Sequence, residues 1–205
     1  MKKNILYIAL FAVMMGFSSC SDFLDKYPQE ELSDASFWKT PKDAEMFVAN
    51  IYKVLPGGDA GDIDGEINSD NAVHGIKWAA GNVSKGIYDA ADTEWASSYA
   101  SIRACNVLLE KIEMIEDYPV ADKEATIGEA RFLRGYVYFG LIQTFGDVPY
   151  IDKALALDEM EGITRTPRAE VYAKIMQDFD FAISKLPQTW SDDSYGRITK
   201  GAAMA

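Results

Sequence analysis

Along most of the chain, apolar residues fall three and four positions apart, the spacing of a single buried helix face. Ala44, Phe47, Val48, Ile51 and Tyr52 keep that spacing behind Thr40-Pro41-Lys42-Asp43. There Thr40 is placed to cap free backbone amides and Pro41 suits the first helical position, which needs no N–H. Pro56-Gly57-Gly58 stops this helix. A second stripe runs from Thr93 through Trp95, Tyr99, Ile102, Cys105, Leu108, Leu109, Ile112 and Ile115, and Pro119 closes it. A third helix is predicted from about Asp122, its cap, to Phe145, with Ile127, Ala130, Leu133, Val137, Gly140 and Leu141 as apolar positions. Phe132, Tyr136, Tyr138 and Phe139 widen that stripe around most of the circumference, so this helix should be packed on several sides. Gly146-Asp147-Val148-Pro149 ends it. Thr166-Pro167 repeats the cap-then-proline start, followed on one face by Val171, Ile175, Phe179, Ala182, Ile183 and Leu186 before Pro187.

Thr199 should cap one more helix, but the chain reaches Ala205 within its first turns, too few residues for a helix stable alone. The expectation is that the helix continues in a longer protein. No strand-like alternation competes with these assignments. The predicted class is all-α, built from helix pairs. Residues 57–92 differ in character: rich in Gly, Asp and Asn, without a sustained period, they read as a long loop region with one short helix around Glu66–Val73. Loops of this length inside a compact domain are usually functional or mobile.

The N-terminus changes the picture. Lys2 and Lys3 precede an uncharged apolar run from Ile5 to Phe17, and Ser18-Ser19-Cys20 closes it with small residues. That is the layout of a secretory signal, and the run is shorter than the roughly 20 residues a membrane span needs. Small residues directly before Cys20 also resemble a lipoprotein box, although Phe17 stands where an aliphatic residue is usual. Cys20 is then the lipidated first residue of the mature chain; a cleaved but unlipidated signal is the alternative, and a buried N-terminal helix the third. Removing residues 1–19 takes two of the 20 basic residues and none of the 32 acidic ones, moving the formal net charge from −12 to −14. Such a chain gains nothing from nucleic-acid phosphates, so DNA and RNA binding is excluded as a class. With Cys20 acylated, Cys105 has no partner for a disulfide; its place in an apolar stripe marks it as a small buried hydrophobe.

Other candidate chemistry is thin. Arg131 and Arg134 either grip an anion or pair with acids such as Glu129 or Asp178 to clamp helices together, and the clamp is preferred. In Asp59-Ala60-Gly61-Asp62-Ile63-Asp64-Gly65, Asp62, Asp64 and Gly65 fit an EF-hand register, but Ala60 takes the first ligand position and Asn71 stands where a bidentate Glu belongs. A solvated acidic turn fits better than a calcium site. His74 is the sole histidine and has no zinc partners, and no triad or phosphate-binding loop is spaced for catalysis. No cofactor and no enzymatic activity are expected.

Glu129-Ala130-Arg131-Phe132-Leu133-Arg134-Gly135-Tyr136-Val137-Tyr138-Phe139, followed by Phe145-Gly146-Asp147-Val148-Pro149, resembles the signature of SusD/RagB-family lipoproteins. Phe37-Trp38-Lys39-Thr40, the Trp95–Leu109 stretch, Thr166-Pro167-Arg168 and Gly196-Arg197 with Thr199-Lys200-Gly201 agree in order and spacing. The resemblance implies tetratricopeptide-like helix pairs, with residues 1–19 as lipoprotein signal, 20–36 as anchored leader and 37–205 as a helical domain incomplete at its C-terminal end. It further implies a lipid anchor on the outer face of an outer membrane, capture of oligosaccharides or other nutrients, and delivery to a SusC-type TonB-dependent transporter. Ser21, Asp22 and Asp25 then resemble a surface-export signal, with a plain solvated linker as the other reading. Sugar binding asks for an aromatic face with amides and carboxylates beside it. Trp78 and Tyr88, with Asp70, Asn71, His74 and Asn82, are the candidates, because they lie in the polar loop and off any stripe; Trp78 could equally plug that loop against the domain. A helical-repeat adaptor that binds protein and no glycan is the second hypothesis, and a lipoprotein hydrolase the weakest.

Overall fold

The computed structural model describes residues 37–55 and 93–205. The predicted signal, the leader, Cys20 and the loop bearing the candidate ligand residues lie outside the described residues.

Helix α1 (Pro41–Ile51) begins with its proline and buries Ala44, Val48 and Ile51, as its periodicity predicts. The capping differs in detail. Asp43 reaches back to accept the Thr40 amide at 2.7 Å and the Lys39 amide at 3.2 Å, while the Thr40 hydroxyl donates to the same carboxylate oxygen at 2.8 Å. The carboxylate, favoured by the positive helix end, takes over the role expected of the hydroxyl. A 3₁₀ turn, Tyr52–Val54, ends the element.

Helix α2 (Thr93–Lys111) continues into a 3₁₀ turn at Ile112–Met114 and buries Ile102, Cys105, Leu108 and Ile112 along its stripe. Helix α3 (Val120–Phe145) is the centre of the domain, packing against α1, α2 and α4. Its cap falls three residues earlier than expected, at Pro119, and Asp122 sits in the first turn. Packing on several sides holds for most of its length, yet Phe139 is 39% exposed and Gly140 faces open space. The apolar stripe therefore does not include Gly140. Gly146, at φ +71°, lets the chain leave the helix with a positive φ that glycine tolerates.

Helix α4 (Arg168–Lys185) runs antiparallel to α3, since Gly128 lies against Leu186 and Gly135 against Phe179. Thr166 does not cap α4. Its hydroxyl accepts the Tyr150 amide at 3.2 Å, and Asp147, from the far end of the connection, accepts the Arg168 amide at 2.8 Å. Between α3 and α4 the chain makes an isolated antiparallel bridge, Val148 with Thr166, and no strand occurs among the described residues. Helix α5 (Lys200–Met204) has the predicted cap, with the Thr199 hydroxyl accepting the Ala202 amide at 3.3 Å. Ile102, Val137, Tyr138, Leu141, Ile142, Val148, Val171 and Ile175 form a shared core for α2, α3 and α4, with Trp95 and Tyr99 packed at its edge.

Candidate functional site

Two buried polar networks organise the surfaces of this domain. In the first, Arg134 of α3 meets Asp178 of α4 with two parallel bonds, Nε to Oδ2 at 2.8 Å and a terminal nitrogen to Oδ1 at 2.7 Å. Its other terminal nitrogen donates to Asn106 of α2 at 2.8 Å. Burial opposes the guanidinium charge, but hydrogen bonding and charge pairing with Asp178 outweigh it and hold the Arg134 pKa above its ordinary value. Asn106 turns its amide nitrogen to the carbonyls of Ile151 and Lys153, at 3.0 and 3.1 Å. The Tyr138 hydroxyl accepts the Ile151 amide at 2.7 Å and donates to the Ile151 carbonyl at 3.0 Å. Tyr99 donates to Pro149 O at 2.7 Å, and Glu110 accepts the Ala154 amide at 2.7 Å. Side chains of α2 and α3 thus supply the partners a neighbouring strand would give to this extended stretch.

The preferred reading of the arginines is what the structure shows for Arg134, which clamps α3 to α4 through Asp178 and to α2 through Asn106. Arg131 stands 4.0 Å from Asp178 and stacks on Phe181 at 4.1 Å. The other expected partner is Glu129, which pairs instead with Arg197, a residue the sequence offers only as part of the Gly196-Arg197 motif. Glu129 is fully buried and binds Arg197 at 2.9 Å while accepting the Tyr52 hydroxyl. That hydroxyl in turn accepts the Ile198 amide at 2.8 Å, and Trp190 donates to Ile198 O at 2.8 Å beneath the Arg197 guanidinium, 3.8 Å above its ring. Burial first, then the Glu129 charge, pushes the Tyr52 phenol far above its usual range, so it stays a neutral donor. Cys105 is fully buried and its thiol is pushed up to about 12 by burial. It behaves as the predicted inert hydrophobe.

Two recesses open beside these networks. One, of about 220 Å³, has apolar walls from Tyr99, Ile102, Ile151, Leu155 and Met160. The other, of about 380 Å³, lies between the outer face of α1 and the turn at 193–197. It carries Tyr195, 96% exposed. Tyr195 is not among the sequence candidates, yet Ser194-Tyr195-Gly196 shows the same signal as Trp78, an aromatic residue in a polar loop away from any stripe. Trp78, Tyr88, Asp70, Asn71, His74 and Asn82 lie outside the described residues, as does the acidic loop weighed for calcium. Among the described residues, no group of three or more His, Cys, Asp or Glu is placed to hold a metal ion, and no helix is long and apolar enough to cross a membrane.

The architecture has many relatives. A family model described as SusD-like, starch-binding associating with outer membrane, matches residues 22–205. SusD-like protein P2 of Formosa agariphila is 30% identical across 92% of this chain and 39% of its own length. SusD-like protein P38 of the same organism is 28% identical across 96% of this chain and 40% of its own. Among solved structures, a SusD-like protein from Bacteroides fragilis superposes with a TM-score of 0.72 at 27% identity, covering 88% of this chain and 36% of that one. A laminarin-binding SusD-like protein superposes at 0.69 with 26% identity, covering 81% and 38%. The chain thus spans about 40% of the length of the curated relatives it matches. With the family model matched from residue 22 to residue 205 and the same helical architecture in these structures, the chain belongs to the SusD-like family.

Proposed function

We propose that this chain is the helical N-terminal portion of a surface lipoprotein that captures oligosaccharide and passes it, without catalysis, to a SusC-type TonB-dependent transporter. Residues 1–19 serve as its signal, Cys20 carries the lipid, 20–36 form the leader and 37–205 the helical portion. The observation that carries the reading is the family match across residues 22–205, whose family is described as starch-binding and associated with the outer membrane. A relative of the same fold named for laminarin binding supports a glycan as the ligand class. The charge balance agrees, because a strongly acidic chain suits neither nucleic acid nor an anionic lipid surface.

Calorimetry of the protein with soluble starch and laminarin tests capture, with saturable binding and no release of reducing ends as the expected result. Failure to bind any polysaccharide, together with co-purification of a transporter, would turn the reading into that of a protein adaptor. Labelled palmitate should enter the wild type and not Cys20→Ala; equal labelling of both would end the anchor assignment.

A further inference from the structure

The recess of about 380 Å³ beside α1 has a rigid floor and a free aromatic rim. Its floor is Tyr52 and Arg197, both fixed by the buried Glu129 carboxylate. Tyr52 also accepts the Ile198 amide, so the turn forming the far wall is tied down at its base. Gly196, at φ +92°, gives that turn a conformation that other residues rarely adopt. Above it the Tyr195 ring stands 96% exposed. A ring left in water, beside a cleft whose walls are already ordered, can stack on a flat apolar face without first breaking protein contacts.

The polar groups around it choose the ligand. Lys42 and Glu45 pair across 3.4 Å at the rim, and Asp193 and Ser194 face them from the turn. Arg197 is already paired with Glu129 and stacked on Trp190. The cations Lys42 and Arg197 therefore face the anions Glu45, Asp193 and Glu129, and no free positive charge remains to attract an anion. Around the aromatic face stand the mutually neutralising Lys42–Glu45 pair, the Asp193 carboxylate and the Ser194 hydroxyl, groups suited to the hydroxyls of an uncharged polyol ring.

We propose that this recess binds a neutral oligosaccharide, with a pyranose ring stacked on Tyr195 and its hydroxyls on Glu45, Asp193 and Ser194. The proposal rests on the glycan-binding reading above and places a contact surface outside the predicted loop. Its test is titration calorimetry of the protein with laminarihexaose, maltoheptaose and an oligogalacturonate, using wild type, Tyr195→Ala, Tyr195→Phe and Trp78→Ala. Tyr195 is exposed, so its replacement leaves the fold intact, which circular dichroism verifies. A neutral oligosaccharide should bind, Tyr195→Ala should weaken it by about ten-fold, and Tyr195→Phe should retain it. Wild-type affinity in Tyr195→Ala, with binding lost in Trp78→Ala, overturns this site and leaves the glycan-binding reading standing. Preference for the oligogalacturonate overturns the charge assignment and with it the site. No binding of any of the three by wild type overturns both.

Discussion

Arg134 shows how much one buried charge depends on its partners. Its side chain and that of Asp178 are almost wholly removed from water, and each supplies what the other lost. Asp178→Ala should therefore cost about 3–5 kcal/mol in urea denaturation, since a guanidinium is left buried with only the Asn106 carbonyl. Replacing both partners together, Arg134→Met with Asp178→Leu, should cost clearly less than the single change, because no orphan charge remains; equal losses would mean that the pair is not acting as a clamp. Asp43 gives a case at the surface. Hydrogen bonds from Thr40, side chain and backbone, hold its carboxyl below the usual value of 3.8. A depressed folded pKa means the contribution is complete above the unfolded value and fades as pH falls through the folded one. The stability gap between wild type and Asp43→Asn should be open at neutral pH and close in acid. A gap unchanged by acid would show that the cap does not depend on the carboxylate charge.

At the scale of elements, α3 and α4 meet closely enough that the two glycines of α3 nearest its C-terminal half have opposite roles. A Cβ on Gly135 would stand 2.9 Å from the Phe179 ring, itself packed on Phe132. Gly140 has no atom within 4 Å of that position. Gly135→Ala should destabilise by about 1–3 kcal/mol through overpacking, whereas Gly140→Ala should stabilise by about 0.5–1 kcal/mol by restricting the unfolded chain. Thermal melts of the two variants that moved in the same direction would contradict the packing described for this helix pair. The connection from Asp147 to Thr166 follows a related logic. Its backbone groups are met by Tyr99, Asn106, Glu110 and Tyr138 from the helices, and it returns the favour by capping α4 with Asp147.

For the whole molecule, the Tyr52–Glu129–Arg197 network joins the first described helix, the central helix and the last turn across separations of 77 and 68 residues. Tyr52→Phe removes a donor to Glu129 and an acceptor for Ile198 in one step. It should cost about 1–3 kcal/mol and speed hydrogen exchange at the Ile198 amide more than at core amides of α3. Unaltered exchange at Ile198 would mean that the C-terminal turn is held by other contacts. The same network forms the floor of the proposed glycan recess, so Tyr52→Phe joins the stability of the domain to the shape of that cleft.

The sequence determined the helices, because a 3.6-residue period and Pro-initiated starts are local properties; α1, α2 and α4 follow their stripes closely. It also determined the family, through the Glu129–Phe139 run and the turn after it. It did not determine which polar residue meets which. Asn106 lies in the Trp95–Leu109 stretch that carries the resemblance, but its spacing does not show that it is fully buried, with helix packing bringing two carbonyls and Arg134 to it. Thr166 and Asp147 exchange the capping role that local spacing assigns to Thr166, since only the Val148–Thr166 bridge brings Asp147 to the start of α4. Glu129 and Arg197, far apart in the chain, become partners only when α3 and the C-terminal turn pack together. Periodicity reports which face of a helix avoids water; which groups share the buried space depends on contacts between residues remote in sequence, and the tertiary structure alone decides those.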